Sequence, residues 1–131
     1  MILMNIKNKI YEFSNGNRVI NVTPHTLAFV DGDETKFIEP SGLLVSAKLI
    51  KVNVSGPFVT EKCVGDDYGA MIIQQIKEID CDVIIIGSSV AAGAFPMKVA
   101  AACEIEGYKS VPKGQRKYSV DEFRVIKERA S

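Results

Sequence analysis

The pattern of apolar and polar positions changes its period near residue 65. Before that point, apolar residues form short alternating runs separated by turn-forming residues, which is typical of antiparallel strands. After it, they recur at helical spacing and then form a continuous β-branched run. The pattern predicts an α/β (α+β) protein, with a mixed β-sheet, N-terminal antiparallel hairpins and a C-terminal βαβ-like half.

Two turn signals organise the N-terminal half. Asn15-Gly16 predicts a first hairpin, because both residues tolerate the positive φ of a tight turn. Asp31-Gly32-Asp33-Glu34 predicts a second hairpin in the same way. The strands expected in this half are residues 1–13, 18–22, 27–30, 35–38, 43–54 and 58–64.

An amphipathic helix is predicted from about residue 66 to Ile79. Asp66 is the expected N-cap, since a carboxylate there accepts a backbone N–H and suits the helix dipole. The apolar stripe expected to face the core comprises Met71, Ile72, Ile76 and Ile79.

The strand predicted at residues 82–87 is the expected centre of the sheet. Its four consecutive β-branched residues, 83–86, are typical of a strand covered on both faces. Ser88 or Ser89 is expected to cap a short helix that ends at Ala94. Residues 97–103 then predict a strand parallel to 83–86, whereas residues 120–129 fit a strand or a helix equally well.

Length and composition fit one soluble domain over residues 1–131. The chain has 131 residues, of which 47% are hydrophobic and 24% charged. We expect an extension or hairpin strand over 1–17, a mainly β part over 18–64, and an α/β half with a basic tail over 65–131. No apolar run is long enough for a membrane span and no leader pattern is evident, which predicts a cytoplasmic protein without membrane partners.

Charge is distributed unevenly along a chain whose formal net charge is zero. Residues 61–82 carry six acids and two bases, whereas 109–131 carry seven bases and three acids. The basic tail could meet an anion, or it could dock on the acidic segment of its own or a neighbouring chain. Without interleaved aromatic residues or a nucleic-acid-binding module, no DNA or RNA polymer is expected as a partner.

Three segments contain the candidate ligand-binding residues. His25, the only histidine, follows Pro24 in a turn of restricted conformation. Backbone N–H groups at residues 87–89 would favour an anion, and the basic loop could supply phosphate contacts and stacking faces. The candidates are Asn21, Thr23, His25, Gly87, Ser88, Ser89, Tyr108, Lys113, Arg116, Lys117 and Tyr118.

Each of these segments also has a purely structural interpretation. Gly87-Ser88-Ser89 could be a small-residue turn for close packing, His25 could bond to nearby backbone, and the basic loop could simply be solvated. The 87–93 segment lacks the spacing of a P-loop, a dinucleotide-binding loop or a nucleophile elbow.

Cys63, Cys81 and Cys103 show no metal-ligand spacing and are expected to be reduced and mostly buried. No catalytic residue, metal or cofactor is therefore predicted.

Several sequence runs resemble small proteins encoded by bacteriophages and prophages. The first is Val19-Ile20-Asn21-Val22-Thr23-Pro24-His25, and the others are Glu39-Pro40-Ser41-Gly42, Ile84-Ile85-Ile86-Gly87-Ser88-Ser89-Val90-Ala91-Ala92, Gly107-Tyr108 with Val111-Pro112, Arg116-Lys117 and Asp121-Glu122-Phe123. The resemblance covers about residues 18–126. It implies a viral setting, in the cytoplasm of a host bacterium, rather than an activity.

By analogy with the Thoeris and CBASS anti-defence sponges of phages, we expect capture of a nucleotide-derived signal without turnover. A cyclic ADP-ribose isomer or a cyclic oligonucleotide would suit the candidate residues, in a homo-oligomer. One alternative is a small nucleotide hydrolase or transferase that uses His25 with Ser88 or Ser89. Another is a phage protein-interaction module.

Overall fold

The computed structural model describes residues 6–105, 112 and 115–127. A 3-10 turn covers Ile6–Lys9. The strands are β1 (Tyr11–Glu12), β2 (Arg18–Asn21), β3 (Leu27–Asp31), β4 (Glu34–Ile38), β5 (Ala47–Ser55), β6 (Phe58–Gly65), β7 (Ile84–Gly87), β8 (Ala100–Glu104) and β9 (Tyr118–Arg124). The helices are α1 (Asp67–Ile79) and α2 (Ser89–Ala94). Among the described residues, no helix has the length and apolar character that a membrane span requires.

Seven strands form one mixed sheet in the order β1-β2-β7-β8-β9-β3-β4. β7 lies inside this sheet and runs parallel to both β2 and β8, which confirms the predicted pairing of 83–86 with the following strand. The hairpins β1-β2 and β3-β4 are antiparallel, as their turn signals predict. Together with the two helices and a separate two-stranded sheet, this confirms the mixed α+β class.

Residues on alternate sides of the strands supply two cores. In β7, Ile85 faces the layer that contains α1, whereas Ile86 belongs to the core on the other side of the sheet. β2 alternates in the same way, with Ile20 on the helix side and Val19 on the opposite side. Burial on both faces explains why β7 is a continuous β-branched run.

The sheet curls until its distant strands approach each other. The rings of Phe13, beside β1, and Phe29, in β3, have centroids only 5.1 Å apart. At another point of the curl, Asn21 Nδ2 of β2 donates to the Ile38 carbonyl of β4 at 3.0 Å. The concave side thereby encloses the apolar cluster of Phe13, Val19, Phe29, Ile38, Ile86 and Val120.

The predicted cap of α1 is confirmed, but its buried stripe differs from the prediction. Asp66 Oδ1 accepts the Gly69 N–H at 2.7 Å. Ile72, Ile73 and Ile76 are buried, because spacings of one, three and four residues keep them on one face. The expected core positions Met71 and Ile79 are exposed, since Met71 lies about 100° around the helix from Ile72 and Ile79 is its last residue.

Several predicted element boundaries were wrong. The expected strand over 1–13 is reduced to Tyr11–Glu12 in the described part, because the chain forms a 3-10 turn before it. The strand expected over 43–54 begins at Ala47, since Leu43 and Val45 are buried in the core by irregular chain. The strand expected over 97–103 begins at Ala100, after Met97 adopts a positive φ of 64°. For the segment 120–129, which fits a strand or a helix equally well by sequence, the structure shows a strand: its residues up to Arg124 belong to Tyr118–Arg124.

Strands β5 and β6 form the separate antiparallel hairpin, which we call the arm. The base of the arm packs on α2, where a Cβ added to Gly93 would lie 2.7 Å from Cys63 Sγ. Most of the remaining side chains of the arm are exposed. The cysteines are less buried than expected, because Cys81 is exposed and Cys63 and Cys103 are half-buried.

Candidate functional site

Strand direction brings most of the candidate residues to one edge of the sheet. β2, β7 and β8 are parallel, so their carboxyl ends lie at the same edge. Residues 22–26, which follow β2, and residues 87–89, at the end of β7, lie there too. β9 is antiparallel to β8 and β3 is parallel to β9, so both of these strands begin there. Tyr118 and Leu27 are consequently brought to the edge that also holds the turn of His25.

The turn before His25 is built by two side chains predicted as ligand contacts. Asn21 is fully buried, and its Nδ2 donates to the His25 carbonyl at 2.7 Å and to the Ile38 carbonyl at 3.0 Å. Its Oδ1 accepts the Thr23 N–H at 2.9 Å and the Thr23 hydroxyl at 2.6 Å. These bonds use both ends of the amide, so Asn21 and Thr23 fix the backbone that presents His25.

His25, Arg116 and Tyr118 line one cleft of about 640 Å³. This volume is within the range of small-molecule sites, roughly 300–1,000 Å³. The cleft lies between the 24–26 turn, the start of β3, the end of β4 and the start of β9, and the His25 side chain is exposed. Its lining residues are Pro24, His25, Thr26, Leu27, Ala28, Phe37, Arg116 and Tyr118.

The charge of Arg116 is partly offset by an acid that sequence reasoning missed. Arg116 Nη1 donates to Glu104 Oε1 at 3.0 Å, an ion pair in which both side chains are half-buried. Burial raises the pKa of the Tyr118 hydroxyl above its usual value, the Glu104 carboxylate adds to this, and Arg116 opposes it. The Tyr118 hydroxyl therefore remains protonated at neutral pH and can donate a hydrogen bond.

Two aromatic side chains give the cleft its apolar character. The Tyr118 ring is held by Phe29, with centroids 5.8 Å apart. Phe37 is 68% exposed, although its neighbour Ile38 is buried in the core. Phe37 was absent from the predicted site. Successive side chains of a strand face opposite sides, so the adjacent apolar residues Phe37 and Ile38 could have indicated that one of them faces outward.

Residues 87–89 reach the same edge but do not line the cleft. Strand β8 separates β7 from β9, which corresponds to two strand spacings or about 10 Å along the sheet. Ser88 Oγ accepts the Ala91 N–H at 3.0 Å as the cap of α2. A Cβ on Gly87 would lie 2.6 Å from Val99 Cγ1, so close packing explains the glycine.

Of the three remaining basic-loop candidates, the structure describes Lys117 alone. Lys117 precedes Tyr118 and its carbonyl accepts the Ile105 N–H at 3.0 Å, but it does not line the cleft. Tyr108 and Lys113 lie outside the described residues. Within residues 6–105, 112 and 115–127, no group of three metal-ligating side chains comes together.

The fold and the cleft define a mixed α+β protein with a pocket at the edge of a curled sheet, whose described lining includes two aromatic side chains and Arg116. Searches of protein-family models, curated proteins and solved structures find no match to this chain.

Proposed function

We propose that the protein binds a small molecule with a planar base and a phosphate, without converting it. The observation that carries this proposal is the meeting of His25 and Phe37 with Arg116 and Tyr118, which lie far along the chain from them, in one cleft. A histidine, an arginine and two aromatic rings are the side chains that nucleotide-like ligands use most readily.

In this proposal, aromatic contacts contribute more to ligand affinity than charge does. Phe37 and Tyr118 offer ring faces or edges to a base, and stacking of this kind typically contributes about 1–3 kcal/mol per base. The Glu104 carboxylate holds Arg116 in position but also reduces the attraction for a phosphate. For the described lining of the cleft, a ligand with few negative charges, such as one bearing phosphodiester or esterified pyrophosphate groups, fits this balance better than a nucleoside triphosphate.

The hydrolase or transferase alternative receives no support from the described geometry. It requires Ser88 or Ser89 beside His25, but neither serine lines the cleft. Ser88 Oγ also accepts the Ala91 N–H as a helix cap, so this hydroxyl already has a structural role. Binding without turnover is therefore the better proposal.

The biological role that fits such binding is sequestration of a signal. The resemblance to phage-encoded proteins supports a setting in the cytoplasm of a host bacterium. The analogy with phage anti-defence sponges extends this to counter-defence, with a cyclic ADP-ribose isomer or a cyclic oligonucleotide as the captured molecule. A homo-oligomer is part of this proposal, because a site between subunits would let a second copy add contacts to the ligand.

Capture from a nucleotide pool tests the proposal. Purified protein is incubated with a bacterial nucleotide extract supplemented with cyclic ADP-ribose isomers and cyclic oligonucleotides, then separated from unbound molecules and heated. Mass spectrometry compares the released molecules with those that were added. We expect one phosphorylated, base-containing compound to be enriched and intact, and His25→Ala to retain at least tenfold less of it.

Two results would overturn the proposal. Conversion of the captured compound to a new mass would establish an enzyme. Absence of any enriched compound, together with an unchanged melting temperature in the full pool, would remove the ligand-binding function altogether.

A further inference from the structure

The arm extends well beyond the helix that supports it. β5 has nine residues and is about 30 Å long, whereas α2 has six residues and is about 9 Å long. Contact with α2 involves the base of the arm, where Cys63 approaches Gly93 and Gly65 approaches Phe95. A two-stranded hairpin alone is marginally stable in water, so the distal part needs a second surface to cover it.

One distal face combines exposed apolar and charged side chains. Register pairs Leu49 with Cys63, Lys51 with Glu61 and Asn53 with Val59, so these residues share the face whose base packs on α2. Leu49 and Val59 are 51% and 52% exposed. We call Leu49, Lys51, Val59 and Glu61 the distal face.

The charges of the distal face are opposite in sign and next to each other. Lys51 and Glu61 are cross-strand neighbours, yet neither belongs to an ion pair in the part of the chain that the structure describes. On the other face of the arm, Lys48 and Lys62 are accompanied by apolar residues and a threonine, with no acid. Only the distal face is therefore complementary to itself in charge.

We propose that the distal face packs against the distal face of a second copy of this chain about a two-fold axis. In such an isologous contact, residue i meets residue j and residue j meets residue i. Lys51 of each copy then meets Glu61 of the other, and Leu49 and Val59 bury their exposed apolar surface. The same pairing through the Lys48 face would set each lysine against an apolar residue of the other copy and provide no opposite charge. No residue of the distal face lines the cleft, so this interface does not depend on the ligand proposed above.

Charge reversal distinguishes this arrangement from any other. Sedimentation velocity of the full chain, over a range of concentrations and with reductant because Cys81 is exposed, measures dimer formation. We expect a wild-type dimer, and at least a tenfold higher dissociation constant for Lys51→Glu and for Glu61→Lys. An equimolar mixture of the two variants should form a heterodimer, because both intersubunit pairs regain opposite charges.

The control is Lys48→Glu, which makes the same charge change on the other face and should leave the dimer unchanged. Thermal unfolding followed by circular dichroism verifies that each variant is folded. If a charge variant does not fold, Leu49→Gln tests the same face without a charge change and should also weaken the dimer. A monomeric wild type, a dimer insensitive to Lys51→Glu or Leu49→Gln, or a folded pair that fails to form the heterodimer would overturn the proposal.

Discussion

At the scale of single residues, Asn21 is the clearest case of a side chain whose role depends on distant parts of the chain. Its position before Thr23 and His25 suggests a ligand contact. The side chain bonds both to that turn and to the Ile38 carbonyl of β4. The contact with β4 could not be predicted from sequence, because it depends on the curl of the sheet.

Replacing Asn21 should destabilise the fold. Asn21→Ala leaves the His25 and Ile38 carbonyls without the amide that donates to them, so the free energy of unfolding should fall by about 3 kcal/mol. Urea denaturation measures the change. The control Asn53→Ala removes one exposed amide, which bonds only to the nearby Gly56 carbonyl, and should cost about 0.5 kcal/mol. Equal costs for the two variants would contradict this role of Asn21.

A second residue-scale feature links β2 to the end of α1. Arg18 donates to both carboxylate oxygens of Asp80, at 2.8 and 3.0 Å. Hydrogen bonding to Arg18 is the main cause that lowers the pKa of Asp80 from 3.8 to about 2. Because the folded-state pKa lies below the unfolded value, the stabilisation is complete above pH 3.8 and is lost as the pH falls through about 2.

Asp80→Asn should therefore lower stability in a pH-dependent way. Its urea midpoint should be below that of the wild type at pH 7, and the two midpoints should converge between pH 4 and pH 2. Asp33→Asn, which removes a carboxylate from an exposed turn, controls for the loss of one negative charge. A midpoint difference for Asp80→Asn that is constant from pH 7 to pH 2 would exclude the ion pair as its cause.

At the scale of elements, local pattern predicted the existence of most strands and helices. The β-branched run identified β7, and Asp66 identified the start of α1, because strand burial and helix capping leave direct marks in the sequence. No comparable sequence pattern indicates that the arm is separate from the main sheet. Its alternating residues fit either an edge strand or an isolated hairpin, and only packing on α2 distinguishes the two.

The junction between β7 and α2 yields an element-scale prediction. Gly87→Ala would place a methyl group 2.6 Å from Val99 Cγ1, a stiff and fully buried side chain, and should cost about 1–3 kcal/mol of stability. Val99→Ala in the same chain removes the clashing methyl group. The double variant should be at least about 1 kcal/mol more stable than the sum of the two single effects predicts. Additive effects in urea denaturation would show that this contact does not require the glycine.

At the scale of the whole molecule, the candidate site is a product of topology. His25, Arg116 and Tyr118 were each predicted from their neighbours in sequence, but their convergence follows from β3 and β9 starting at the same edge of the sheet. The same topology separates residues 87–89 from the cleft. Parallel pairing of β3 with β9 joins segments about ninety residues apart, so the sequence pattern could not reveal it.

The central claim is that the cleft binds a base-containing ligand, and a matched pair of phenylalanine variants tests it most directly. Phe37 in the cleft is 68% exposed and Phe58 on the arm is 70% exposed, so neither truncation should unfold the protein. The measurement is the amount of the captured nucleotide that each variant retains from the same pool. Phe37→Ala should retain at least fivefold less than the wild type, and Phe58→Ala should retain the wild-type amount. Equal retention by both variants and the wild type would contradict the claim.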